Sequence, residues 1–264
     1  MRQNMYKSIK NEARKYIMTA KSEQDIIGLT TIGRLVAETL QIMQASVEPG
    51  MTTAELDAIA AKKLAEHGAR SAPKITLNYP GTACISINDE AAHGLPGSRM
   101  IEAGDIVKID LSAELNGYFG DAALTTIVPP VKPEYARLTS AAKAAFEKGI
   151  AAAITGNPIN AIGRAIETEA RKHGFSVIEE LPGHGVGTAL HEEPTIPTIH
   201  LRRMKQKLHT GLVITVEPHL SMKRTRIYQA DDGWTLKTHN RSFVANFEHT
   251  VIVMPGRPII LTAV

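Results

Sequence analysis

The chain has 264 residues, 43% of them hydrophobic, and 30 Lys and Arg against 27 Asp and Glu give a formal net charge of +3. That is enough chain to bury a substantial core in one large or two small domains, and too little charge, too dispersed, to mark a nucleic-acid protein, so no direct DNA binding is expected. A single cysteine, Cys84, permits no internal disulfide and fits a reducing compartment. The charged N-terminus lacks an apolar core, and no later run approaches the ~20 apolar residues of a bilayer span. The expectation is a cytoplasmic protein without membrane contact.

Residues 1–21 read as a polar, basic extension packed loosely on the surface, ahead of one domain over residues 22–264. Ser22 looks like a helix N-cap, and Leu29, Ile32, Val36, Leu40 and Met43 follow at helical spacing until Pro49-Gly50. Thr52 with Glu55 is a capping-box signature for a second helix, whose apolar stripe is Leu56, Ile59, Ala60 and Leu64 and whose stop is Gly68. From Ile75 to Ile87 the pattern turns to short strands and turns, ending in the apolar run Ala83–Ile87. His93 follows beside Gly94. A strand over Ile106–Leu111 carries Asp110 near its end, and the Asn116-Gly117 turn leads into a second strand carrying Asp121. Helices are expected over about 133–153 and 159–173. Beyond them come a basic loop (His200, Arg202, Arg203, Lys205, Lys207), a strand to Glu217, a hairpin at Asp232-Gly233-Trp234, and a strand over about 243–254 carrying Glu248 and His249.

The two halves repeat. Gly50–Gly68 aligns with Gly156–Gly174 without gaps, each segment preceded by a longer helix. GDIVKID, ending at Asp110, matches GLVITVE, ending at Glu217, so a duplicated unit would set those two carboxylates symmetrically about a central cleft. Asp110, Asp121, Glu217 and Glu248 are then four carboxylates among apolar neighbours, costly to bury unless something positive compensates. Two divalent cations would match four negative charges, with one or two imidazoles completing the set. Taken singly, each carboxylate also fits a Lys or Arg pair or an exposed strand end. The stretch GHGVGTALHEEP (183–194) holds His184 and His191 among glycines that allow close backbone approach to a ligand, though alone it also fits a polar turn. There is no G-x-S-x-G elbow, no H-E-x-x-H, and no dinucleotide glycine spacing.

INDEAAHGLP (87–96), VKID at Asp110, GD at Asp121, GHGVGTALHEEP, TVEP at Glu217, DGWTLKT (232–238) and FEHT (247–250) together resemble the type I methionine aminopeptidases, over about Glu23 to Thr262. The resemblance implies an α/β pita-bread fold: a central antiparallel sheet covered by helices, with an internal pseudo-twofold repeat. It implies removal of N-terminal methionine from nascent or newly made proteins, assisted by two divalent ions (Co, Mn, Fe or Zn) on Asp110, Asp121, His184, Glu217 and Glu248. His93 and His191 would contact substrate and intermediate, and Glu217 would also shuttle a proton. Tyr79, Cys84, His93 and Trp234 would wall the methionine pocket. The short interval from His191 to Glu217 leaves no room for the subdomain inserted in type II enzymes.

Three departures stand out: Ala122-Ala123 where the family usually has hydroxyl residues, Leu190 for a common phenylalanine, and Thr76-Leu77 where an aromatic is frequent. They bear on the tightness of the pocket, not on the ligands. An X-Pro aminopeptidase or dipeptidase of the same fold and a peptide-binding module that has lost its ligands are the competing readings, the first disfavoured by the short N-terminus and the FEHT context and the second by the five intact ligands. A monomer is expected, and the basic loop over 200–207 is either a solvated face or a contact to ribosomal RNA.

Overall fold

The computed structural model describes residues 17–264; the expectation for residues 1–16 lies outside them. Helix α1 spans Glu23–Ser46 and starts at a capping box, with the Ser22 hydroxyl accepting from the Asp25 N–H and the Asp25 carboxylate returning to the Ser22 N–H. All five apolar positions of its predicted stripe are buried. By length and composition α1 would also pass as a membrane span, contrary to the expectation that no run comes near one, but half of that window is buried in the protein. Helix α2 (Thr53–Glu66) opens on the Thr52–Glu55 capping box and buries Leu56, Ala60 and Leu64.

The next segment departs from expectation. After the two-residue strand β1 (Arg70–Ser71), residues Ala72–Leu77 form a short helix, α3, where from Ile75 on the sequence pattern predicts short strands and turns. Ser71 caps it and Pro73 lies in its first turn, where a missing N–H costs nothing. Strands β2 (Cys84–Ile87), β3 (Glu90–Ala92), β4 (Ile106–Leu115) and β5 (Tyr118–Ile127) follow. Because β4 runs on to Leu115, Asp110 sits mid-strand rather than near its end. Helices α4 (Pro133–Ala152) and α5 (Asn160–Lys172) pack on each other as α1 and α2 do. The second half holds β6 (Ser176–Val177), β7 (Gly183–Gly185), β8 (Glu192–Ile196), β9 (Val213–Val216), β10 (His219–Ser221), β11 (Ile227–Gln229) and β12 (Leu236–Thr238). The single strand expected over 243–254 is two: β13 (Val244–Asn246) joins β10, while β14 (Glu248–Ile252) joins the large sheet, so the chain changes sheets at Phe247. Strand β15 (Ile259–Ile260) closes the set.

The large sheet runs β1-β4-β5-β14-β9-β7-β8, with β2 also on β4 and β15 also on β14, and its strand pairings are antiparallel. Of four core clusters among the described residues, one gathers Ile32, Val36, Leu56, Ile109 and Leu111 from the first half and another gathers Leu138, Phe146, Ile162, Ile166, Ile214 and Val216 from the second. The glycines of the repeat share one backbone state: φ is +90° at Gly50 and +89° at Gly156, +68° at Gly68 and +81° at Gly174, +89° at Gly104 and +86° at Gly211. Glycine adopts that region without the penalty a side chain brings, so the repeated letters mark repeated turns. This is the pita-bread architecture, two helix-covered halves meeting along one antiparallel sheet.

Candidate metal centre

Five adjacent strands each deliver one residue to the same face. In spatial order β4, β5, β14, β9 and β7 supply Asp110, Asp121, Glu248, Glu217 (one residue past its strand) and His184. The register explains the alignment. Asp110 and Glu248 both pair with Ala123, and Asp121 lies two residues along β5 from it, so period-two alternation turns all three side chains the same way. Thr215 pairs with Thr250 across β9–β14, which puts Glu217 on that face as well. Asp121, His184 and Glu248 each offer a ligand atom, all within 4.8 Å of one another, and His184 Nε2 lies 3.5 Å from Glu217 Oε1 and 3.7 Å from Asp121 Oδ2.

The donor set fits divalent cations. Burial first, then the other carboxylates, push Glu217 and Glu248 well above the ordinary carboxylate range; burial and Asp121 do the same to Asp110. Burial raises Asp121 too, with His184 opposing. Four crowded acids cannot all ionise unless positive charge joins them. Asp121 Oδ1 and Glu248 Oε1 are buried with no hydrogen-bond partner among the described residues, an arrangement that coordination would satisfy. His184 Nδ1 lies 2.9 Å from the Gly185 carbonyl oxygen, so Nδ1–H donates there and Nε2 is the nitrogen left facing the carboxylates.

Two threonines that no motif revealed hold these groups. The Thr215 hydroxyl donates to Glu217 Oε1 (2.8 Å) and accepts from the His184 N–H (3.0 Å). The Thr250 hydroxyl accepts from the Asp121 N–H (3.0 Å) and donates to the Asp121 carbonyl (2.8 Å). Their only sequence signal is alternation with the apolar residues of β9 and β14.

The other residues expected at the site lie around this centre. The His191 ring lies 4.4 Å from that of His184, and burial, then His184 and His93, hold it well below the usual imidazole range. His93 has φ +55°, and burial lowers it to about 4, so it is neutral near pH 7. Cys84 faces Asp110 across β2–β4. The Tyr79 hydroxyl donates to the Gly94 carbonyl (2.7 Å), and its ring meets Trp234 edge-on at 5.0 Å. Asp57 on α2 accepts from the Thr82 and Ala83 N–H groups (both 2.8 Å), pinning the segment between Tyr79 and Cys84. Of the departures, Thr76 is exposed on α3 with its hydroxyl turned back to the Ala72 carbonyl, and Leu190 is buried with Met18, Leu29 and Val186.

Residues 28–255 match the model of metallopeptidase family M24. The chain belongs to that family. It is 43% identical to methionine aminopeptidase 2 of Bacillus subtilis (strain 168) over 247 residues, covering 93% of this chain and 99% of the relative. It is similar in structure to methionine aminopeptidase from Rickettsia prowazekii, with a TM-score of 0.89, 33% identity, and coverage of 93% and 99% of the two chains. A prolidase from Pyrococcus furiosus shares the fold, with a TM-score of 0.74 at 20% identity over 92% of this chain and 65% of that one. For an M24 metallopeptidase, the cluster of Asp121, His184 and Glu248 is a candidate metal site in the expected chemistry.

Proposed function

We propose that the chain is a type I methionine aminopeptidase that removes N-terminal methionine from nascent or newly made proteins. The observation that carries this reading is the row of five ligand-type side chains on five adjacent strands, with Tyr79, Cys84, His93, His191 and Trp234 around it. Asp110, Asp121, His184, Glu217 and Glu248 would hold two divalent ions, drawn from Co, Mn, Fe and Zn, and bound there such ions lower the pKa of water and polarise a carbonyl.

The chain's own groups do the rest. Neutral His191 donates a hydrogen bond to the oxygen that gains charge as the first peptide carbonyl becomes tetrahedral. His93, also neutral, orients the peptide next to the reacting bond. Glu217, held at one oxygen by Thr215, carries a proton to the leaving amine. Cys84, Tyr79 and Trp234 offer a soft, aromatic wall suited to a thioether. A monomer in the cytoplasm fits this substrate class, and the exposed basic residues Arg202, Arg203, Lys205 and Lys207 of the loop over 200–207 are proposed as a contact to ribosomal RNA.

An X-Pro aminopeptidase shares the fold, and turnover separates the two. The metal-depleted protein, given Mn, Fe, Co or Zn in turn, should cleave Met-Ala-Ser and leave X-Pro peptides intact. Preference for X-Pro peptides with every metal would overturn the assignment.

A further inference from the structure

Beside His191 stands a buried carboxylate with four donors. Glu192 Oε1 accepts from the Thr188 N–H (2.7 Å), the Thr188 hydroxyl (2.8 Å) and the Ala189 N–H (2.8 Å), and Oε2 accepts from the Met18 N–H. The last of these bonds joins residues 174 positions apart in the chain. The expectation of loose surface packing does not hold here. Met18 is buried with Leu29, Val186 and Leu190, its carbonyl accepts from the Val213 N–H (3.2 Å), and the Ala20 N–H donates to the Gly211 carbonyl (2.8 Å). The contact with the loop is close: at Gly187, where φ is +147°, a Cβ would lie 2.5 Å from Met18 Cγ. The strap Met18–Ala20 therefore touches both the loop that carries His191 and the strand that leads to Glu217.

We propose that Glu192 is a positioning residue: its carboxylate ties the N-terminal strap to the turn at Thr188–Ala189, and that tie sets where His191 stands in the site. The inference rests on the reading of His191 given above. His191 immediately precedes β8, one peptide bond from Glu192, so anchoring Glu192 beneath the turn fixes the backbone from which the His191 ring reaches that of His184. A carboxylate suits the task because it only accepts. A glutamine at 192 would keep its oxygen at the three-donor end and turn its NH2 toward the Met18 N–H, donor against donor. Glu192→Gln thus severs the strap while sparing the turn.

The test compares Glu192→Gln with wild type on Met-Ala-Ser, alone and combined with His191→Ala, alongside metal titration, amide exchange and the 15N resonances of the His191 ring in the Zn-loaded protein. A displaced donor should lower kcat by about tenfold with KM and metal affinity little changed, and should cost nothing further once His191 is alanine. Exchange at Met18–Ala20 should quicken and the His191 resonances should shift. Thr188→Val, at an exposed position, removes one donor and should give a smaller loss of the same kind; it carries the comparison if Glu192→Gln does not fold. An equal loss of kcat with and without His191, a loss accounted for by metal affinity, or an unmoved His191 ring would overturn the proposal. Absence of wild-type activity on Met-Ala-Ser would instead refute the functional reading, and the exchange and ring resonances would still report on the tie.

Discussion

Asp110 and Glu248 stand on either side of Ala123, one across the β4–β5 pair and the other across β5–β14. The methyl group between them leaves open space on the face that the two carboxylates share. Ala123→Leu would fill it, forcing the acids apart at a cost of about 1–3 kcal/mol for an overpacked site. The expected result is a folded protein with a modest loss of Tm and a large loss of metal binding by calorimetry. Unchanged metal stoichiometry and affinity would count against the shared site.

The carboxylates make a pH prediction whose sign follows from their direction. Without metal, Asp110, Glu217 and Glu248 lie well above their ordinary values of 3.8 and 4.5 in the folded chain, so the proton they retain stabilises the fold at low pH. That stability is lost as pH rises above those ordinary values toward the raised ones, because the unfolded chain ionises first. Metal competes with the retained protons, so the gap in Tm between metal-loaded and chelated protein should widen from pH 5.5 to pH 8. A gap independent of pH would contradict it.

Thr215 serves two ligands at once, so Thr215→Val, close in shape, should remove a donor from Glu217 and an acceptor from the His184 N–H. Groups that orient ligands in this way usually matter about 10–100-fold in metal affinity or activity. Metal titration of the variant should show a loss in that range, and full affinity would assign the hydroxyl to packing.

The first pocket should discriminate modestly. Thr76 is exposed and Leu190 is buried with Met18 and Leu29, and the proposed wall is Tyr79, Cys84 and Trp234. The ratio of kcat/KM for Met over Leu at the first position should fall within roughly 10–200-fold, the usual reach of an apolar pocket between close analogues. A ratio above ~10³ would show a tighter pocket than these residues provide.

What the sequence revealed was local or repeated. The N-cap at Ser22 and the capping box at Thr52 act between residues three apart, the Asn116-Gly117 turn signals its hairpin, and Gly50 and Gly156 mark the same turn in each half. Helix α3 escaped because six residues are too few to show a helical period, although Ser71 and Pro73 were its signals. The break at Phe247 escaped because apolar alternation continues across it while the pairing partner changes. The order β4-β5-β14-β9-β7, and bonds such as Thr250 to Asp121 or Glu192 to Met18, join distant parts of the chain and leave no local trace. The five ligand-type residues were thus nameable in advance, but the groups that hold them were not.

In the proposed site His184 and His191 do different work with rings 4.4 Å apart. Calorimetric metal titration of His184→Ala and His191→Ala, with kinetics on the same samples, tests this most directly. His184→Ala should lose metal affinity and regain part of its activity when metal is raised well above the new dissociation constant. His191→Ala should keep its affinity and lose kcat by about 10²–10³, or ~2.7–4 kcal/mol, with little change in KM. Collapse of metal binding in His191→Ala, with His184→Ala still binding normally, would contradict the site as described.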